Sequence, residues 1–145
     1  MKCLALLITL SIMEPLFAED NYIYFSVDRF KAPSYSIKAS NGRAIVLRYS
    51  GGLGLSDPQS DWCEGKYSEH QLDILLKSLR LAKVRNWKSR YKKEGMKDGT
   101  WWKLKIINGN FNFSSSGSNE YPDNFTDVVT LIKTIEESLN CESHS

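Results

Sequence analysis

Trp101-Trp102-Lys103-Leu104-Lys105-Ile106-Ile107-Asn108-Gly109-Asn110-Phe111-Asn112-Phe113-Ser114 carries the clearest structural signal in the chain. Apolar and polar residues alternate on both sides of Asn108-Gly109. That dipeptide favours a two-residue type I′ turn, whose central positions both need positive φ. Such a loop sets Ile106 opposite Phe111 and Leu104 opposite Phe113. Directly opposed residues share a face. Trp102, Leu104, Ile106, Phe111 and Phe113 therefore fall on one side, and Lys103, Lys105, Asn112 and Ser114 on the other. This is the pattern of a half-buried hairpin.

The same alternation recurs toward the N-terminus. In residues 22–30, Ile23, Phe25 and Val27 share one face, and Tyr24, Ser26 and Asp28 the other. Lys31-Ala32-Pro33-Ser34 breaks that strand. Tyr35 to Ala39 is a second strand, Asn41-Gly42 a hairpin turn, and Arg43 to Ser50 a third strand. Gly51 to Gly65 reads as a loop, because Gly51-Gly52, Gly54, Asp57-Pro58 and Gly65 are turn formers.

A helix starts at Ser68. Ser68 and Gln71 have capping-box spacing, and Tyr67 and Leu72 that of a hydrophobic staple. Leu72, Leu75, Leu76, Leu79 and Ala82 form one apolar stripe. The helix is expected to fray near Val84 to Trp87, with a basic connector over 88–97. After the hairpin, Ser115 to Asn119 reads as a polar loop. Tyr121-Pro122 sets up a last helix with Asp123 and Asp127 near its positive N-terminal end. Its stripe is Phe125, Val128, Val129, Ile132, Ile135 and Leu139. The order βββαββα predicts an α+β fold: a two-layer sandwich, with an antiparallel sheet of about five strands under two helices.

The 145 residues are 41% hydrophobic and 25% charged, with a formal net charge of +2. These values argue against a disordered chain or a disulfide-dense mini-scaffold. Lys2, the apolar run Leu4 to Met13, the break at Glu14-Pro15 and the small Ala18 follow the order of a secretory signal peptide. Residues 1–18 are thus read as a leader cleaved after Ala18, and 19–145 as a single exported, periplasmic domain. No stable membrane insertion is expected. Cleavage removes Cys3 and leaves Cys63 and Cys141, an even count that reads as one disulfide in an oxidising compartment.

The chain is poor in catalytic groups. His70 and His144 are its two histidines. His70 falls in the first turn of a helix, where a cation is unfavourable, and reads as a surface residue. Nothing in the sequence orients it as a base toward Cys63. Cys63, His70, Cys141 and His144 have spacings of no common zinc arrangement, and an oxidised cysteine pair cannot ligate. Gly51-Gly52-Leu53-Gly54 lacks the Lys-Ser/Thr ending of a phosphate-binding loop. Asp57 and Asp61 read as solvated loop acids. The expectation is no metal, no cofactor and no catalytic set.

Charge is distributed unevenly. From Lys77 to Lys105 there are 11 basic and 2 acidic residues, a local net of +9. From Glu120 to Ser145 there is 1 base against 6 acids, a net of −5. The basic block, including Lys88, Arg90, Lys92 and Lys93, is interleaved with Trp87, Tyr91, Trp101 and Trp102. Export argues against nucleic acid and for an acidic protein or an anionic envelope polymer. A solvated face balancing the acidic C-terminal helix is the plainer alternative. Trp101 sits with Lys103 and Lys105, away from the core face, on what reads as a basic sheet edge. It either anchors an interface or is covered by the connector or the N-terminal strands.

Asp98-Gly99-Thr-Trp-Trp102-Lys-Leu104-Lys-Ile106, followed by Ser116-Gly117-Ser-Asn119-Glu-Tyr121-Pro122-Asp-Asn124-Phe125, resembles a domain of small bacterial proteins with the pattern DG-x-x-W-x-L-x-I, then SG-x-N-x-YP-x-x-F. No settled activity comes with that resemblance. Turn, core face and helix start account for most of the pattern, with Asn119 the exception or a further turn residue. Tyr49-Ser50-Gly51-Gly52-Leu53-Gly54-Leu55 is similar to the SGG-x-x-G segment of emfourin-like inhibitors, which block thermolysin-like metalloproteases. This chain differs in its two strands ahead of the motif and its leader.

The expected function is non-enzymatic binding, as an inhibitor or immunity protein against a secreted enzyme or toxin. The alternatives are an envelope module for anionic glycan or lipid headgroups, and a small hydrolase. The candidate binding residues are Trp101, Lys88, Arg90, Lys92, Lys93, Gly51, Gly52, Gly54 and Asn119.

Overall fold

Ile23, Phe25 and Val27 are buried, as their alternation requires, in the first strand of a seven-stranded sheet. The computed structural model describes residues 21–51, 60–96 and 98–139. The stretch 1–18 read as a leader, with Gly52, Gly54, Asp57, Cys141 and His144, lies outside the described residues. The strands are β1 (Tyr22–Arg29), β2 (Pro33–Ser40), β3 (Arg43–Ser50), β4 (Asp61–Gly65), β5 (Arg90–Lys92), β6 (Thr100–Ile107) and β7 (Phe113–Ser118). Helix α1 (Glu69–Leu81) and a 3-10 turn (Val84–Asn86) stand between β4 and β5, and α2 (Phe125–Ser138) follows β7.

The order across the sheet is β4-β3-β2-β1-β6-β7-β5. All neighbours are antiparallel except β5 and β7, which run parallel. The fold is α+β with both helices on one face, but the expected antiparallel sheet of about five strands is a mixed sheet of seven. Both added strands lie at edges. β4 occupies part of the stretch read as a loop, because its inward positions Asp61, Cys63 and Gly65 carry no apolar alternation. β5 arises within the basic connector, where three residues are too few to show a period. The stretch read as a polar serine loop is the end of β7. Ser115 faces the core fully buried, and its Oγ donates to the Lys88 carbonyl at 2.7 Å.

The β6–β7 hairpin keeps the expected faces and changes register. Ile106 pairs with Phe113, Leu104 with Ser115 and Trp102 with Gly117. The connection is therefore longer than a two-residue turn. The Phe111 N–H donates to the Asn108 carbonyl at 2.7 Å, and Gly109 has φ +48°. Phe111 leaves the ladder and plugs the core end, 1% exposed, with the guanidinium groups of Arg80 and Arg85 each 4.9 Å from its ring centroid. Cation–π contact and apolar burial together outweigh the simpler turn.

Elsewhere the local rules hold. Asn41-Gly42 joins β2 and β3 with Ser40 opposite Arg43, and Gly42 has φ +93°. The Ser68 side chain accepts from the Gln71 N–H while the Gln71 side chain accepts from the Ser68 N–H, the reciprocal pair read from the spacing. Leu72, Leu75, Leu76 and Leu79 are buried, as are Val128, Ile132 and Ile135 of α2. Each such side chain removed from water stabilises the fold by roughly 1.5–3 kcal/mol before entropy is counted. Asn124 spends its side chain on tying elements together. Its Nδ2 donates to the Ala82 carbonyl at 2.7 Å, and its Oδ1 accepts from Trp87 Nε1 at 2.8 Å. The α1 end, the 3-10 turn and the α2 start are thereby fixed to one another.

Candidate functional site

With both helices on one side, the other side of the sheet is open. Residues on adjacent strands stand about 4.8 Å apart across it. One transverse row runs Leu47, Ser36, Ser26, Lys103, Ser116 and Arg90. The next runs Asp28, Trp101, Ser118 and Lys92. A third brings Lys38, Tyr24 and Lys105 together. Lys38 and Lys105 both approach the Tyr22 ring, at 5.0 and 5.6 Å from its centroid.

The bases on this face are Arg43, Lys38, Lys103, Lys105, Arg90 and Lys92; the acids are Asp28 and Glu64. Glu64 is ion-paired with Arg43, and Asp28 accepts from Ser34 Oγ at 3.3 Å. Among the described residues, no side-chain ion pair holds Lys103, Arg90 or Lys92; the Glu120 carboxylate accepts the Lys92 backbone N–H at 2.8 Å. The positive charge outside side-chain ion pairs thus gathers toward β6 and β5, around Trp101. Trp101 is 41% exposed. It stands on no edge, since β6 is flanked by β1 and β7. The N-terminal strand β1 lies beside it as a sheet neighbour.

The basic residues picked out by charge separate into two groups. Arg90 and Lys92 alternate onto the open face, while Tyr91 between them turns inward, 5.8 Å from the Trp102 ring. Lys88 and Lys93 flank the strand and serve it through their backbones. Lys88 donates its N–H to the Tyr91 hydroxyl at 3.0 Å, and Lys93 its N–H to the Ser118 carbonyl at 3.1 Å. His70 is exposed in the first turn of α1. Among the described residues, no three metal-ligating side chains gather.

Residues of the DG-x-x-W and SG-x-N-x-YP patterns converge on one junction. Asn119 has φ +55°, and its Oδ1 accepts the Thr100 N–H at 2.9 Å. A Cβ on Gly99 would sit 1.9 Å from that same Oδ1. Trp102 Nε1 donates to the Glu120 carbonyl at 2.9 Å, and its ring packs 4.9 Å from Phe125 and 6.5 Å from Tyr121. These contacts join β6, β7 and α2, and give Asn119 the geometry of a turn residue.

A cleft of about 960 Å3 opens at the end of the sheet, between the β1–β2 turn and α2. Arg29, Lys31, Arg48, Lys133 and Glu136 line it, with Tyr35, Tyr121 and Phe125 as aromatic walls. Arg48 is ion-paired with Asp61 at 3.3 Å and also with Glu136. Gly51 lies at this end. Its N–H donates to the Ala32 carbonyl at 2.9 Å, and a Cβ there would fall 1.5 Å from the Arg29 carbonyl oxygen. Only glycine allows β3 to leave the sheet so close to the β1–β2 turn. The cleft escaped sequence reading because its residues come from distant parts of the chain.

No protein-family model matches the chain, and no curated protein matches it.

Proposed function

We propose that this protein acts by binding, with the open face of its sheet as the interface and an acidic protein surface as the partner. The exported inhibitor or immunity protein is the role this reading supports. The observation that carries it is the exposed Trp101 set among Lys103, Arg90 and Lys92. A broad sheet face suits a macromolecule better than a small molecule, which needs a concave site. An exposed Trp amid basic side chains combines an anchor with charges that steer an acidic partner. The serine-lined row through Ser36, Ser26 and Ser116 favours a second reading, an anionic glycan of the envelope.

The test is retention from culture and envelope fractions by the wild type and by the triple variant Lys103→Gln, Arg90→Gln, Lys92→Gln. An acidic protein held by the wild type, released by salt and lost by the variant supports the first reading. Retention of an anionic glycan with the same pattern moves the conclusion to the second. Equal retention by both proteins overturns the open face as the interface.

A further inference from the structure

We propose that the cleft between the β1–β2 turn and α2 is a second binding site, which takes a phosphate monoester carried on a ring. Arg29 and Lys31 reach it from the turn, and Lys133 from α2. Glu136 is the one carboxylate among its described lining residues, and it is ion-paired with Arg48. Arg29, Lys31 and Lys133 have no carboxylate side chain paired with them among the described residues. Three cations facing a concave space concentrate positive potential there.

Tyr35 ties the charges to an aromatic surface. Lys133 Nζ lies 5.3 Å from the Tyr35 ring centroid. Burial holds the Tyr35 phenol above its ordinary pKa, with Arg29 opposing the rise and Glu136 adding to it. Arg29 and Lys133 therefore act on one ring from two different elements. Tyr121 and Phe125 stand 4.8 Å apart at the other wall, and Tyr121 is 42% exposed. The volume, about 960 Å3, leaves room for a ring beside the anion.

A phosphate monoester is close to a dianion at neutral pH and offers three acceptor oxygens, matching an Arg fork and two ammonium groups. A ring attached to it would meet Tyr35, Tyr121 and Phe125. The described lining residues include no histidine or cysteine. The proposal is one of recognition, with no bond made or broken. A soluble sugar or aryl phosphate and the headgroup of a phosphatidylinositol monophosphate both carry a phosphate monoester on a ring, and the test separates these sources.

The probe is phenyl phosphate, titrated into isotopically labelled protein, with inorganic phosphate and phenol as its two halves. Phenyl phosphate should shift the resonances of Arg29, Tyr35 and Lys133 and bind about tenfold more tightly than inorganic phosphate. Arg29→Gln and Lys133→Gln should each weaken it about tenfold, with the melting temperature unchanged. Thr130→Trp places a large side chain in the cleft from the exposed side of α2 and should abolish binding. Retention on phosphatidylinositol monophosphate vesicles that Lys133→Gln removes assigns the headgroup as the source. Phenyl phosphate binding without vesicle retention assigns a soluble ligand. No phenyl phosphate binding by the wild type, shifts centred on Trp101 and Lys103, or unchanged affinity in both Gln variants would each overturn the site. The open face carries none of these three cations, so failure here leaves the reading of that face standing.

Discussion

The indole of Trp102 lies directly across the backbone of Gly117: a Cβ at Gly117 would sit 2.2 Å from Trp102 Nε1. The two residues are register partners on β6 and β7, and the same Nε1 donates to the Glu120 carbonyl just beyond. Trp87 meets Trp102 edge-on at 5.7 Å, so the indole is held from several sides. A methyl group on Gly117 must displace the ring, break its hydrogen bond, or both. Gly117→Ala should cost about 3 kcal/mol, at the upper end for overpacking. Urea denaturation followed by tryptophan fluorescence measures it. A loss near 0.5 kcal/mol or less would mean that the indole swings aside freely.

The hairpin register makes a second set of values. Leu104 is fully buried and Phe111 is 1% exposed. Leu104→Ala should destabilise by about 2–5 kcal/mol and Phe111→Ala by about 3–5 kcal/mol. Lys105 points to the open face, and Lys105→Ala should stay within about 0.5 kcal/mol. Phe113 is only partly buried on the β7 side, so Phe113→Ala should cost less than Phe111→Ala. Equal costs for the two phenylalanines would contradict the plug position of Phe111.

Two features made most of the fold legible in the sequence. Alternation located β1 to β3 and β6, and helical spacing with the Ser68–Gln71 capping pair located α1. Both signals are local, arising within one element. The edge strands depend on their neighbours instead. β4 turns Asp61, Cys63 and Gly65 inward and leaves Trp62 62% exposed, the reverse of an alternating core strand. β5 exists because β7 offers it a ladder. The longer hairpin loop was hidden for the same reason, since Phe111 is held by Arg80 and Arg85 from elsewhere in the chain. Trp101, Lys103 and Lys105 were legible as an outward face, but Arg90 and Lys92, read as part of a connector, join that face only through the pairing of β5 with β7. The cleft needs Arg29, Tyr35 and Lys133 together, and no spacing relates them.

Cys63 stands on β4 two residues before Gly65, where a Cβ would lie 2.9 Å from Leu139 Cδ2. Leu139 in turn precedes Cys141 by two residues. This approach of β4 to the end of α2 supports the proposed Cys63–Cys141 bond. Protein produced with export to an oxidising compartment, then denatured without reduction, should show no free thiol. Reduction should lower stability by about 2–4 kcal/mol, since the closed loop is long. Two free thiols would remove the proposal.

Burial alone raises the Tyr67 phenol above the ordinary value of 10.0, because the ionised form is disfavoured away from water. The native state then holds its proton where the unfolded chain releases it. Below that value Tyr67 has no effect on the pH dependence; above it, stability falls with rising pH until the folded-state pKa is passed. Unfolding free energy should therefore drop between neutral pH and about pH 11, and Tyr67→Phe should shrink the drop. An unchanged drop in the variant would assign it to Tyr35 or Tyr49, whose phenols burial also raises.

Trp101 and its cationic neighbours should separate kinetically if the open face is the interface. Charges act over distance and set the encounter rate, so the triple Gln variant at Lys103, Arg90 and Lys92 should bind more slowly and with a flatter salt dependence. Its melting temperature should hardly move, because no side-chain ion pair is lost among the described residues. Trp101 acts only at contact. It is 41% exposed in the free protein, so its indole has area left to bury. Trp101→Ala should leave the association rate nearly unchanged, raise the dissociation rate and weaken binding by about 2 kcal/mol or more. A melt of each variant and a binding trace at two salt concentrations read both effects. A large fall in melting temperature with unchanged affinity would make Trp101 a packing residue of the sheet surface, and the anchor would then have to be sought at Trp62 on the far edge strand.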